Sequence, residues 1–469
     1  MSNDDTRTER DSMGEMKVPV QAYYGASTQR AALNFPISDL RIPGRMIRAL
    51  GLIKWAAAQT NAELGLVDAK LAGAIAEAAD EVADGKHDDQ FVVDVFQTGS
   101  GTSSNMNANE VIANRAAEIL GAERGRRDVV HPNDHVNHGQ SSNDVIPTAV
   151  HIAGLLAIEE DLKPGIEALH DALARKADEF WEVIKTGRTH LQDATPIRLG
   201  QVFHGYAGQL EHSRARVERA EEELKELALG GTAVGTGINT HPEFASRVCT
   251  KISERLKLGN VWLRESENHF QAQATLDGVV AASGQLRTLA ISLQKIANDI
   301  RLLASGPRTG LGELTIPEVQ PGSSIMPGKV NPVIAESAIM VAAQVIGNDQ
   351  TIVQAGQWGY FELNTMLPVA AYNLVQSAEL LGAATRNLAE KCVSGMTATA
   401  VGPEMVERGL AIVTGLVPQI GYDKAAAIAH DAARTGKSIR EVALEQTDLT
   451  SDQLDAALDP FKMTEPADR

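Results

Sequence analysis

Cysteine is almost missing from this 469-residue chain, which has two, Cys249 and Cys392. They stand far apart and in no metal-like spacing, which excludes a disulfide framework and a cysteine-ligated cluster and fits a reducing cytoplasm. Also missing is any uncharged apolar run of ~18 residues, the length needed to cross the hydrocarbon layer. The opening stretch MSNDDTRTERD lacks the apolar core of a secretory signal. A soluble, cytoplasmic protein is expected. Positive charge is in short supply as well: 43 Lys and Arg stand against 61 Asp and Glu, a net charge of -18. Nucleic acid and anionic membrane are thereby excluded as partners, because phosphate recognition needs clustered cations. A small anionic substrate is not excluded, since a site needs only a few local cations and well-aimed N–H groups.

What is present is material for helices. Hydrophobic residues make up 43% of the chain, enough for a substantial core and more than one domain, while aromatics make up only 4%. From about Val145, IEALHDALARKADEFWEVI, GQLEHSRARVERAEEELKELAL, GQLRTLAISLQKIANDIRLLA and NPVIAESAIMVAAQVI repeat apolar residues at three- and four-residue steps. Small side chains suit close helix packing, and long helices with short loops imply a bundle. Glycines read as helix stops at Gly121, at Gly187 after EVIKT, and at Gly230–Gly231 after KELAL. Before residue 141 the chain is more broken, with MGEMKVPVQAYYGASTQRA and NFPIS as loop or short-strand candidates, and after 398 it turns charged and irregular. A mainly α protein of three regions is expected, at 1–141, 142–398 and 399–469.

Three polar clusters of small residues each precede an apolar-periodic helix: TGSGTSSN (Thr98 to Asn105), QSSND (Gln140 to Asp144) and PGSSIMPGKVNP (Pro321 to Pro332). Free N–H groups at a helix start bind anions, and Ser, Thr and Asn donors sharpen the geometry. Taken singly, each cluster could be ordinary capping. Three together could hold two carboxylates. In the third, Gly322 and Gly328 bracket two serines and could let the loop close over a ligand, and Lys329 and Asn331 follow them.

GRTHLQDATP places Thr189 and His190 after the predicted stop at Gly187 and before a helix predicted from about Pro196. His190 is a candidate acid/base, with Glu336 in the first turn of the helix after the third cluster as a carboxylate partner. The run HPNDHVNH invites a metal reading for His131, His135 and His138. It lacks the HExxH or paired Cys/His frame, and Pro132, Asn133 and Asp134 read as a turn with anion-binding donors. No metal and no cofactor are expected. GGTAVGTG (Gly230 to Gly237) is rejected as a dinucleotide loop, because it is expected to follow a helix instead of a strand.

Six segments, DVFQTGSGTSSNMNANEVIANRA, HPNDHVNHGQSSNDVIPTA, GRTHLQDATP, GGTAVGTG, KIANDIRLLASGPRTGL and GSSIMPGKVNP, together resemble the fumarase/aspartase superfamily. Within it the chain is similar to class II fumarate hydratases, over essentially its whole length. The resemblance implies a three-domain subunit with a long central helical bundle, assembled as a D2 homotetramer whose active sites are each shared by three chains. It implies reversible, metal-independent hydration of fumarate to L-malate, with aspartate ammonia-lyase as the alternative. The Pro327-Gly328-Lys329 step looks like fumarase, where aspartases typically carry alanine for the glycine. By motif, Ser323 looks like the catalytic base, and His190 supported by Glu336 the group serving the water. Ser100, Gly101, Thr102, Ser141, Ser142, Asn143, Thr189, Ser324, Lys329, Val330 and Asn331 look like substrate binders. Arg127, His131, Pro132, Asn133 and Asp134 look like an accessory carboxylate site. HFQAQ (His269 to Gln273) departs from the usual KFEA-like run, and GRRDVV before His131 is one residue longer than usual.

Overall fold

A computed structural model describes residues 6–259 and 261–466. Residues 1–5, the first part of the stretch read as lacking a secretory signal, lie outside the described residues. In chain order the elements begin with a hairpin, β1 (Thr6–Asp11) and β2 (Gly14–Pro19), followed by helices α1 (Ala26–Asn34), α2 (Gly44–Glu63), α3 (Ala69–Ala83), α4 (Thr102–Ile119), α5 (Ser142–Ala157) and α6 (Lys163–Glu179). A second hairpin, β3 (Ile184–Thr189) and β4 (Gln192–Arg198), leads to α7 (Leu199–Leu224). Then come β5 (Glu226–Leu227), α8 (Phe244–Leu256), β6 (Arg264–Glu265), α9 (His269–Ala274) and α10 (Asp277–Leu303). β7 (Leu314–Thr315), α11 (Val333–Gly356), β8 (Gly359–Tyr360), β9 (Leu363–Asn364), α12 (Leu367–Leu388), β10 (Thr397–Ala398) and α13 (Val401–Arg408) complete the central stretch. Short helices α14 (Val417–Ile420), α15 (Tyr422–Thr435), α16 (Ile439–Gln446) and α17 (Ser451–Ala457) end the chain.

Residue proximity divides the chain into two compact units. The first comprises 1–164, 214–290 and 342–383; the second comprises 165–213, 291–341 and 384–469. In the first, α2 packs on α3, α5 and α8 through a face of Leu50, Ile53, Ala56 and Ala57, all fully buried. The helices approach closely because small residues meet: a Cβ at Gly51 would lie 2.6 Å from the backbone nitrogen of Ala83. Asp68 starts α3 by accepting from the backbone N–H groups of Lys70 and Leu71. Ser141 and Asp144 form a capping box that starts α5.

In the second unit, Ile184 of β3 joins Val406, Ile412, Leu416, Ile428, Val442 and Leu454 in one apolar cluster, which seats the base of the hairpin among the C-terminal helices. Here the structure corrects the sequence reading. The helix expected to run through EFWEVI stops at Glu179, Gly187 lies inside β3, and Pro196 lies inside β4 with α7 starting at Leu199. Phe180, Trp181 and Glu182 form the turn that ends the helix, and the β-branched residues of VIKT then favour an extended chain over the apolar periodicity. A β-bulge near Gly187 and the exposed edges of a two-stranded ribbon accommodate Pro196 opposite Thr186. Likewise α7 ends at Leu224, and β5 intervenes before Gly230. No helix among the described residues is long and apolar enough to cross a membrane.

Candidate active site

All three predicted clusters lie at helix starts. In the first unit, the starts of α4 and α5 are joined by side chains: Ser100 Oγ lies 2.8 Å from Thr102 Oγ1, which lies 2.8 Å from Ser142 Oγ. Gly101 makes this possible. It precedes α4 with φ of +72°, and a Cβ there would meet Ile146 at 2.8 Å. With glycine at that position, α4 has no N-cap side chain, and although Ser104 N–H donates to Gln97 Oε1 at 3.0 Å, the N–H groups of Thr102 and Ser103 are left for a ligand. Ser141 caps α5 by accepting from Asn143 N, while the Asn143 side chain donates to the Ala233 carbonyl at 2.8 Å.

Behind these hydroxyls sit two fully buried charges that sequence reading passed over. The Asp144 carboxylate accepts the N–H groups of Ser141, Gly230 and Thr232 at 2.9, 3.0 and 3.0 Å. The GGTAVGTG turn thus wraps a carboxylate of its own chain, and a two-residue strand, β5, precedes it where a helix was expected. Lys54 of α2 donates to Asn137 Oδ1 at 2.7 Å and Gln140 Oε1 at 3.0 Å. Burial pushes its pKa down to about 7, with Asp144 pulling the other way. A lone charge inside GLIKWAAA was the available signal.

The third cluster belongs to the second unit. Its loop closes on itself, with the Asn331 side-chain amide donating to the Gly322 carbonyl. Ser323 Oγ accepts from the backbone N–H groups of Ile325 and Met326 at 3.2 and 3.0 Å. Gly328, Lys329, Val330, Asn331, Pro332 and Glu336 line a cavity of ≈ 770 Å³, together with Asn298, Arg301, Ser305 and residues 314–316 of β7 and its exit. Ser323 and Ser324 lie outside its lining.

Thr189 and His190 occupy the exposed tip of the β3–β4 hairpin, and Thr189 pairs with Gln192 across a two-residue turn. His190 and Leu191 both adopt positive φ, +57° and +60°. Each costs ~1–2 kcal/mol for a residue with a side chain. Buried beneath the tip, Glu313 lies 2.7 Å from Arg188 Nη2 and 3.2 Å from Lys185 Nζ. The expected pairing of His190 with Glu336 is not formed within the chain: among the described residues no hydrogen bond or ion pair joins them.

Arg127, His131 and Asn133 line a separate cavity of ≈ 450 Å³ in the first unit, with Arg10, Asp11, Ser12 and Ser27. Pro132 is buried and the Asp134 side chain points largely to solvent, so neither lines it. His131 Nδ1 accepts from the N–H groups of Asn133 and Asp134, and His135 Nδ1 accepts from His131 N. Burial, reinforced by Arg127, holds the pKa of His131 below its ordinary value. These imidazole nitrogens are spent on backbone N–H groups. Arg10, Ser12 and Ser27 were not legible as members, because they come from distant segments with no motif of their own.

Comparison with known proteins adds a second line. Residues 14–347 match the Lyase family model and residues 412–465 the model described as Fumarase C C-terminus. The chain is 58% identical to a class II fumarate hydratase of Halobacterium salinarum over 98% of both chains. It is 52% identical to that of Nitrosomonas europaea, over 98% of this chain and 100% of the relative. A crystal structure of recombinant class II fumarase from Schistosoma mansoni superposes with a TM-score of 0.95 at 39% identity, covering 99% of this chain and 100% of that one.

Proposed function

The chain belongs to the class II fumarate hydratase family, and from that premise we propose that it catalyses the reversible, metal-independent hydration of fumarate to L-malate. The geometric observation that carries the reading is the Ser100–Thr102–Ser142 hydroxyl chain joining two helix starts, a set of donors suited to an anion. In the dehydrating direction a base removes the proton beside a carboxylate, and the neighbouring hydroxyl takes a proton from His190 and leaves as water. Ser323 is the base. An unassisted serine is a poor one, but the two loop N–H groups that Ser323 Oγ accepts would stabilise its alkoxide. His190 serves the departing or attacking water. Charge that builds on the carboxylate is met by Lys329, Asn331 and the helix starts, with Gly101, Ser141, Asn143, Thr189, Ser324 and Val330 completing the binding set.

The active site is shared among chains of a D2 homotetramer. The absence of a His190 to Glu336 pairing within one chain, and a strained hairpin tip that carries His190 into solvent, support this arrangement. Arg127, His131 and Asn133 form an accessory carboxylate site, with Pro132 and Asp134 shaping its turn. The three regions 1–141, 142–398 and 399–469 are its domains, and a separate family model, over 412–465, falls within the third. A cytoplasmic location fits the two buried free cysteines.

The test is a substrate panel: fumarate should be consumed with formation of L-malate, undiminished after chelation. Ammonia released from L-aspartate faster than water from L-malate would refute the assignment, and loss of activity to a chelator would refute the metal-free mechanism. Sharing is tested by reassembling inactive His190→Asn chains with inactive Ser323→Ala chains. Random assortment should restore both groups in about a quarter of the sites. Confirmed mixed tetramers without activity would refute it.

A further inference from the structure

Lys54 is fully buried on α2, yet among the described residues no carboxylate pairs with its ammonium. Its two partners, Asn137 and Gln140, belong to the segment that delivers the chain to Ser141. Asn137 donates to the Gln140 carbonyl at 3.0 Å and accepts from Asn105 of α4 at 3.2 Å, while Gln140 donates to the carbonyls of Val136 and His138. One ammonium therefore ties α2, α4 and residues 136–140 together directly behind the start of α5. Burying a cation among amide oxygens is costly, and an apolar side chain would fill the same place without that cost. Packing alone does not explain a lysine here.

We propose that Lys54 is a positioning residue for substrate binding: it holds residues 137–140 so that Ser141, Ser142 and Asn143 present their donors to a substrate carboxylate. This rests on the reading of the α5 start as a binding element, and the experiment separates the two. Steady-state kcat and KM for fumarate and L-malate are measured for full-length Lys54→Met, Gln140→Leu and Asn143→Ala. Misplaced donors should raise KM by about tenfold in both Lys54→Met and Gln140→Leu, with kcat changed less than about threefold. A lysine that merely supports the fold would lower thermal stability and the active fraction and leave KM as it was. That result in Lys54→Met, or in Gln140→Leu should Lys54→Met not fold, overturns the proposal while Asn143→Ala still raises KM. Unchanged KM in Asn143→Ala would instead overturn the binding role of the α5 start, and the proposal with it.

Discussion

Glu313 offers a decisive perturbation because its carboxylate is 1% exposed and lies between two cations, Arg188 Nη2 at 2.7 Å and Lys185 Nζ at 3.2 Å. The group carries two positive charges and one negative. Glu313→Gln keeps the shape and removes the negative charge, leaving two buried cations uncompensated. Removing one partner of a buried pair costs ~3–5 kcal/mol. A retained amide oxygen and deprotonation of Lys185, whose pKa burial already lowers, bring the expected loss to about 3 kcal/mol. With an unfolding entropy of ~2.1 cal/mol/K per residue, a chain unfolding as a whole should melt about 3 °C lower. Lys185→Met behaves differently: Arg188 still balances Glu313 and a desolvated ammonium is gone, so the cost should stay under ~1 kcal/mol. Because Arg188 immediately precedes Thr189 and His190, Glu313→Gln should also lower kcat by about tenfold or more through misplacement of the hairpin tip. Thermal unfolding and steady-state kinetics of the two variants test this. Equal losses, or Lys185→Met as the worse of the two, would refute the charge-balance reasoning.

Ser323→Ala and His190→Asn should each reduce kcat by ~100-fold or more, the scale of an acid or base group, and near-normal turnover in either removes it from the chemistry. Lys329→Ala should raise KM and lower kcat together, as expected for a cation serving both bound substrate and the developing charge; unchanged kinetics would exclude it from the site. Lys54 titrates at about 7 in the folded protein, well below its value in an unfolded chain. The unfolded state then binds more protons between pH 7 and ~10, so this group makes stability rise with pH across that window. Urea unfolding at pH 7 and pH 9 should show the parent gaining up to ~2 kcal/mol relative to Lys54→Met, and a difference of opposite sign would refute the shift.

Much of this molecule was legible because its chemistry is local. Ser141 with Asp144, or glycine at 101, announces a helix start within four residues, and all three polar clusters lie where such starts were expected. The hairpin was missed for an equally physical reason: IEALHDALARKADEFWEVI keeps helical spacing past Glu179, and only the β-branched content of its last residues signals a change. Nothing in the sequence ties Glu313 to Arg188, or Lys54 to Gln140, since those contacts depend on how distant segments meet.

The polar groups divide into two kinds, and the division separates architecture from chemistry. Glu110 accepts four hydrogen bonds, from Gly25 N, Ser27 N, Thr28 N and Thr28 Oγ1, and Asp144 accepts three backbone N–H groups. Such carboxylates are saturated by their own chain, which is what burial demands. His190 and Lys329 are the opposite case: among the described residues neither side chain makes a hydrogen bond or ion pair, and His190 is held at a φ that its side chain disfavours. Both side chains are exposed, so water satisfies them in the single chain and leaves them free to meet a ligand. On the proposed reading, their partners are a substrate carboxylate and a neighbouring subunit, and only the backbone strain at His190 is a cost that such contacts would offset.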